Sequence, residues 1–154
     1  MQSLARVGKQ WQSPWARLGS AVRMTGMRYL WAAPNSVLGL ILALPSLVLG
    51  RCRLEQGVLE VWGGALPGLL GGLPWVPGGA VALTLGHVVL GRDPEVLLRT
   101  RAHERAHVRQ AEVWGPLFLP AYGMASLWAL VRGRHVYRDN AFERAARACE
   151  DAGQ

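Results

Sequence analysis

Apolar and polar positions change period several times along this chain, and each change marks an element. Leu30 to Gly50 holds no charged residue over 21 positions. That is long enough for a bilayer span, although Pro34, Asn35 and Pro45 interrupt it and Val37–Leu44 is its clean helical part. A buried core helix is the alternative reading. Arg51–Glu55 and Val58–Trp62 then alternate around Gln56-Gly57, which predicts a β-hairpin. Residues 63–79 are rich in Gly and Pro and carry Leu66, Leu69, Leu70, Leu73 and Trp75. This is the pattern of an apolar loop, either dipping into lipid or covering a site. Ala80–Leu90 reads as one strand, with Gly86 marking a bulge and His87 a structural histidine.

A helix is predicted next. Asp93 is a good N-cap, Pro94 suits the first helical position and Glu95 puts an acid in the first turn. Trp114-Gly115-Pro116 is a stop. A second uncharged stretch runs from Gly115 to Val131, with Pro116 and Pro120 breaking its start and Tyr122–Val131 able to be helical. A last helix is expected from about residue 140, capped by Asn140 or Asp139, with Phe142, Ala145, Ala146 and Cys149 as its packing face. The sum is an α+β fold: a small hairpin or sheet packed on the 94–114 helix and the C-terminal helix, preceded by a hydrophobic helix. Three parts are expected: a basic segment 1–29, an anchor or core helix 30–50, and a main domain 51–154.

Chemistry enters with His103-Glu104-Arg105-Ala106-His107, the HExxH pattern. Side chains four apart on a helix share a face, so two imidazoles can grip one Zn²⁺ while the intervening carboxylate takes a proton from water. A catalytic zinc needs a third protein ligand. Glu143, on the last helix, is the best candidate, because helices hold ligands more rigidly than loops. Asp139, Glu150 and His135, the last in a basic loop-like run, are the weaker ones. Gln110 lies on the histidine stripe, where it packs or hydrogen-bonds a ligand-bearing segment. His135 or Tyr137 is placed in sequence to supply an oxyanion donor.

These residues resemble the zincin metallopeptidases, in particular the gluzincin group, which has HExxH on one helix and a ligand Glu on a later one. Glu143-Arg144-Ala145-Ala146 is similar to the ExxA element of membrane-associated peptidases of the HtpX type, which usually carry Asp next where this chain has Arg147. The resemblance covers roughly residues 80–150 and extends to small bacterial membrane-associated HExxH proteins. It implies His103, His107 and Glu143 as metal ligands, Glu104 as general base, Zn²⁺ as cofactor and a peptide or protein as substrate. A zincin-like scaffold without catalysis is the rival reading.

Charge and cysteine content adjust this picture. The net charge is +7, and residues 1–28 carry Arg6, Lys9, Arg17, Arg23 and Arg28 with no acid, interleaved with Trp11 and Trp15. A basic aromatic segment suits nucleic acid or anionic lipid. The uncharged stretch that follows favours lipid, so membrane lipids are the expected partner and nucleic acid is not. A cleavable leader fits poorly, since the basic region is long and no small-x-small site closes the apolar run. The expected location is a membrane surface, the bacterial inner membrane by resemblance, with the side of the site open. A full crossing at 115–131 would put His107 and Glu143 in different compartments, so residues 116–131 are expected to be core or re-entrant. Cys52 and Cys149 lie far apart with no CxxC, and are read as unrelated buried thiols.

Overall fold

The structure is a computed structural model that describes residues 25–73, 76 and 78–151. Arg6, Lys9, Arg17, Arg23, Trp11 and Trp15 of the basic segment lie outside these residues, as does Trp75.

Helix α1 spans Thr25–Ala43 and continues through Pro34 into a 3₁₀ turn at Leu44–Ser46. The helical part is therefore much longer than Val37–Leu44, and it ends before Gly50, where the sheet starts. Strands β1 (Gly50–Glu55) and β2 (Val58–Gly63) form the expected hairpin. Its turn has φ of 50° at Gln56 and 79° at Gly57, the double positive φ of a tight hairpin connection.

Two regions differ from the sequence reading. Leu66–Gly71 is a short helix, α2, with Leu66 and Leu70 fully buried. Its apolar residues are drawn into the core against Val61 and Leu90, so this part of the expected loop is core. Ala80–Leu90 is not one strand but a hairpin: β3 (Ala82–Leu85) and β4 (Val88–Gly91) turn at Gly86-His87. Gly86 takes φ +61° as the first central residue, where glycine permits a two-residue turn, so it reverses the chain and forms no bulge. The sheet order is β1-β2-β4-β3, antiparallel except for the parallel β2/β4 pair, which leaves β3 at an edge.

Helix α3 runs Pro94–Trp114 with the expected ends: Asp93 Oδ1 accepts from Val96 N at 2.8 Å, and Gly115 closes it. Gly115 has φ +54°, and a Cβ there would lie 2.3 Å from the Trp31 ring, so the joint needs glycine on both counts. After a 3₁₀ turn at Gly115–Leu117 comes α4, Phe118–Val131. It starts earlier than expected, because Pro120 falls in its first turn, where an amide would have no intrahelical acceptor anyway. Helix α5 spans Ala141–Asp151. Asn140 caps it: Oδ1 accepts from Phe142 N at 2.8 Å, while Nδ2 donates to Tyr122 O and Ser126 Oγ of α4.

Alternation along the strands sets what meets what. Val58 and Val89 pack on Leu97 and Val108 of α3, and Val61 and Leu90 pack on α2 and Ala43. A third cluster joins Ala32, Ala111, Phe118 and Phe142, and so locks α1, α3, α4 and α5 together. Between sheet and α3 lies buried Glu60, paired with Arg53 at 2.5 Å, Arg101 at 3.3 Å and Arg105 at 3.8 Å. The cysteines are both free, but Cys52 is exposed, on the outer strand β1, where no layer covers it. Gly26–Ser46 and Pro94–Val131 are each long and apolar enough to cross a membrane. Many of their apolar side chains face outward, among them Leu30 (72% exposed), Met124 (66%) and Trp128 (59%).

Candidate metal centre

His103 and His107 lie one turn apart on α3, with their rings edge to face at 4.8 Å. Helix α5 crosses α3 and brings Glu143 to them. His103 Nε2 and His107 Nε2 are 3.1 Å apart, His103 Nε2 lies 3.3 Å from Glu143 Oε2, and His107 Nε2 lies 3.1 Å from Glu143 Oε1. The two Glu143 contacts run to different oxygens, so one carboxylate bridges both imidazoles; taken one ligand atom per residue, the three donors lie within 4.8 Å of one another. The group can hold a metal ion. Glu143 Oε2 is buried between the His103 ring and the Arg147 guanidinium.

Neighbouring groups orient each ligand. Gln110 Nε2 donates to Phe142 O at 3.0 Å, so its oxygen is the acceptor for His107 Nδ1 at 2.9 Å. His107 therefore carries a proton on Nδ1 and turns Nε2 to Glu143; the charged ring donates to that carboxylate, and the neutral ring presents a lone pair that a metal can take. Gln110 thus does what the sequence suggested, bonding a ligand ring and the backbone beside Glu143. His103 Nδ1 has Glu150 Oε2 at 3.6 Å. Tyr122 O–H donates to Glu143 Oε1 at 2.8 Å, and Arg147 sits 3.7 Å from Glu143 Oε2.

The electrostatics favour a positive charge among these donors. Burial by itself would raise the Glu143 carboxyl, but hydrogen bonds from His103 and His107, the His107 charge and the Tyr122 hydroxyl outweigh it and hold the group well below the usual carboxylate range. Burial pulls His107 down, yet the hydrogen bond and charge of Glu143 pull it up further. Burial and the Glu143 charge push the Tyr122 and Tyr137 hydroxyls far up, so both stay protonated.

Glu104 is buried on the same helix, turned toward the sheet. Thr84 of β3 donates to its Oε2 at 2.5 Å, which leaves Oε1 to the cleft. Burial raises its pKa, and the favourable pull of His107 and the Thr84 bond only partly offsets this. A cleft of about 290 Å³ opens here, with His103, Glu104, His107, Glu143, Tyr122 and Tyr137 in its wall. Leu73 and Val76 also line it, so the Gly/Pro segment covers the site in part.

Other candidates fall elsewhere. His135 uses Nδ1 to accept from Tyr137 N and Arg138 N, and it does not line the cleft; Tyr137 does. His87 stacks on Tyr29 and pairs with Glu112 at 3.0 Å, apart from the ligand group. Glu150, one of the downstream ligand candidates, stands beside His103 Nδ1 and not in the ligand group, while Thr84 and Tyr122 were not singled out from sequence as site residues. Tyr122 stands 21 residues from its partner and Thr84 stands 20 from its own, so no local spacing points to them. No known protein family, curated protein or solved structure matches the chain.

Proposed function

We propose that the chain is a small zinc-dependent peptidase that works at a membrane surface. The triangle of His103, His107 and Glu143 donor atoms carries the reading, since two neutral imidazoles and a carboxylate are the donor set of a catalytic zinc with one open position. Zinc held there would supply an acidified water and a Lewis acid for the scissile carbonyl. Glu104 would serve as the proton acceptor beside that ion through Oε1 and as the donor to the leaving amine. Thr84 fixes the other oxygen. Tyr137 lines the cleft with its hydroxyl bonded to Glu143, from where it would turn to donate to the developing oxyanion. The edge strand β3, with Ala82, Leu83 and Thr84 in the cleft wall, suits an extended peptide laid alongside it.

The outward apolar side chains of α1, of the 44–49 connection (Val48 85% exposed, Leu49 83%) and of α4 support attachment to lipid. Helix α3 carries Arg99, Arg101, Arg105 and Arg109 and lies against the sheet, which favours surface attachment over a crossing by 94–131. The test is metal analysis paired with cleavage of an unfolded protein. Wild type is expected to hold one zinc and cleave. Glu104→Gln is expected to keep the zinc and lose on the order of 10²–10⁴-fold in rate. Zinc without cleavage in wild type would assign the non-catalytic scaffold instead.

A further inference from the structure

One turn after Glu143 on α5, beside the candidate ligands, the chain holds a cation. Arg147 Nη1 lies 3.7 Å from Glu143 Oε2, and Arg147 Nη2 donates to Arg138 O in the turn that precedes the helix. The guanidinium is thus tied to the backbone by one nitrogen while another faces the carboxylate. Its charge also reaches Tyr137, where it works against the burial and the Glu143 charge that push that hydroxyl up. The Arg147 side chain is 36% exposed, so this charge is screened but not abolished.

The two states of the site ask opposite things of that charge. Without a metal, Glu143 is a buried carboxylate, and leaving one uncompensated is costly. Arg147 compensates it whether or not the imidazoles are protonated, because a guanidinium keeps its proton. With a dication among His103, His107 and Glu143, the same guanidinium stands beside a second positive charge and repels it. Orienting Glu143 is not its task. At 3.7 Å it makes no hydrogen bond to Oε2, and the Tyr122 hydroxyl already holds Oε1 at 2.8 Å.

We infer that Arg147 is a placeholder for the metal: it neutralises Glu143 in the metal-free protein and loosens the ion in the loaded one, so the site gives up its metal more readily than its three donors alone would. The inference rests on the metal reading of the site and needs no peptidase activity. It also fixes a sign. An arginine that merely propped Glu143 in place would, once removed, weaken metal binding; a placeholder, once removed, strengthens it.

The test uses the full chain, metal-free and with zinc, as wild type, Arg147→Gln and the control Arg144→Gln. The control removes the same charge from an exposed position of the same helix. Zinc affinity is read by competition with a chromophoric chelator, and the thermal midpoint by circular dichroism in EDTA and in excess zinc. Arg147→Gln is expected to bind zinc about 10-fold more tightly than wild type, the scale of a screened unit charge beside a dication. Its midpoint in EDTA is expected to fall, and its gain on adding zinc to exceed that of wild type, since tighter binding stabilises more. Arg144→Gln is expected to match wild type in both readings. Arg147→Gln that folds only with zinc, or that takes up zinc where wild type does not, also supports the placeholder. Equal or weaker zinc binding by Arg147→Gln, an equal tightening in Arg144→Gln, or an Arg147→Gln chain that folds in neither condition overturns the inference and leaves a zinc-binding wild type its metal centre. Absence of zinc from both wild type and Arg147→Gln removes the metal reading, and the inference with it.

Discussion

Glu60 and Glu143 are both buried carboxylates at 2% exposure, yet they are built for different ends. Glu60 sits on β2 among Arg53, Arg101 and Arg105, whose guanidinium groups keep their protons at any physiological pH. Its positive partners are permanent and offer no lone pair. Glu143 has one guanidinium, Arg147, at 3.7 Å, but its closer partners are His103, His107 and the Tyr122 hydroxyl, and the two imidazoles can give up a proton and present a lone pair in its place. Hence a metal ion can replace the proton at Glu143 but has no way in at Glu60. Burial of an acid is common to both sites; what separates structure from chemistry is whether the compensating charge can be exchanged.

The sharpest way to break this contrast is His107→Ala. It removes one corner of the donor triangle and is expected to bring metal content from about one per chain to near zero, read by metal analysis after dialysis, with the fold kept by circular dichroism. Glu60→Ala should do the opposite. Three guanidinium groups would lose their common carboxylate, and stability in urea unfolding should fall by about 3 kcal/mol, the low end for an uncompensated buried charge because the arginines are partly exposed. At saturating metal the folded fraction should still bind one ion. A Glu60→Ala protein that folds as well as wild type but loses its metal would invert the comparison. The smallest effect is expected from Gln110→Ala. The His107 ring would lose its orienting partner while all three ligands remain, so affinity should weaken by about 10–100-fold in chelator competition, at unchanged stoichiometry.

What could be read in advance follows the range of the interaction. The ends of α3 come from neighbours in sequence, Asp93, Pro94 and Gly115, and they stand where the local pattern puts them. The β1/β2 hairpin is equally local. The Ala80–Leu90 segment was harder, since a glycine amid apolar residues suits a bulge or a turn, and pairing with β2 decides for two strands. Leu66–Gly71 is held helical by burial of Leu66 and Leu70, a tertiary effect that outweighs its Gly and Pro content. At the metal centre, the i,i+4 histidines are a local signal. That Glu143 meets them depends on α5 crossing α3, and the Asn140 ties to Tyr122 and Ser126 help set that crossing. Thr84 and Tyr122 arrive only through the assembled fold.

Helix α1 looks like an appendage in the sequence, but it is stitched to three separate places. Asn35 Nδ2 donates to Gly115 O at 2.7 Å, Ser36 Oγ accepts from His87 N at 3.0 Å, and Tyr29 O–H donates to Gly57 O at 3.2 Å. Trimming residues 25–49 to obtain a water-soluble fragment would therefore strip acceptors and donors from the hairpin turns and from the end of the zinc-candidate helix. Polar residues at outward positions such as Leu30, Leu38 and Ile41 would change the surface of the helix while leaving the inward stitches whole.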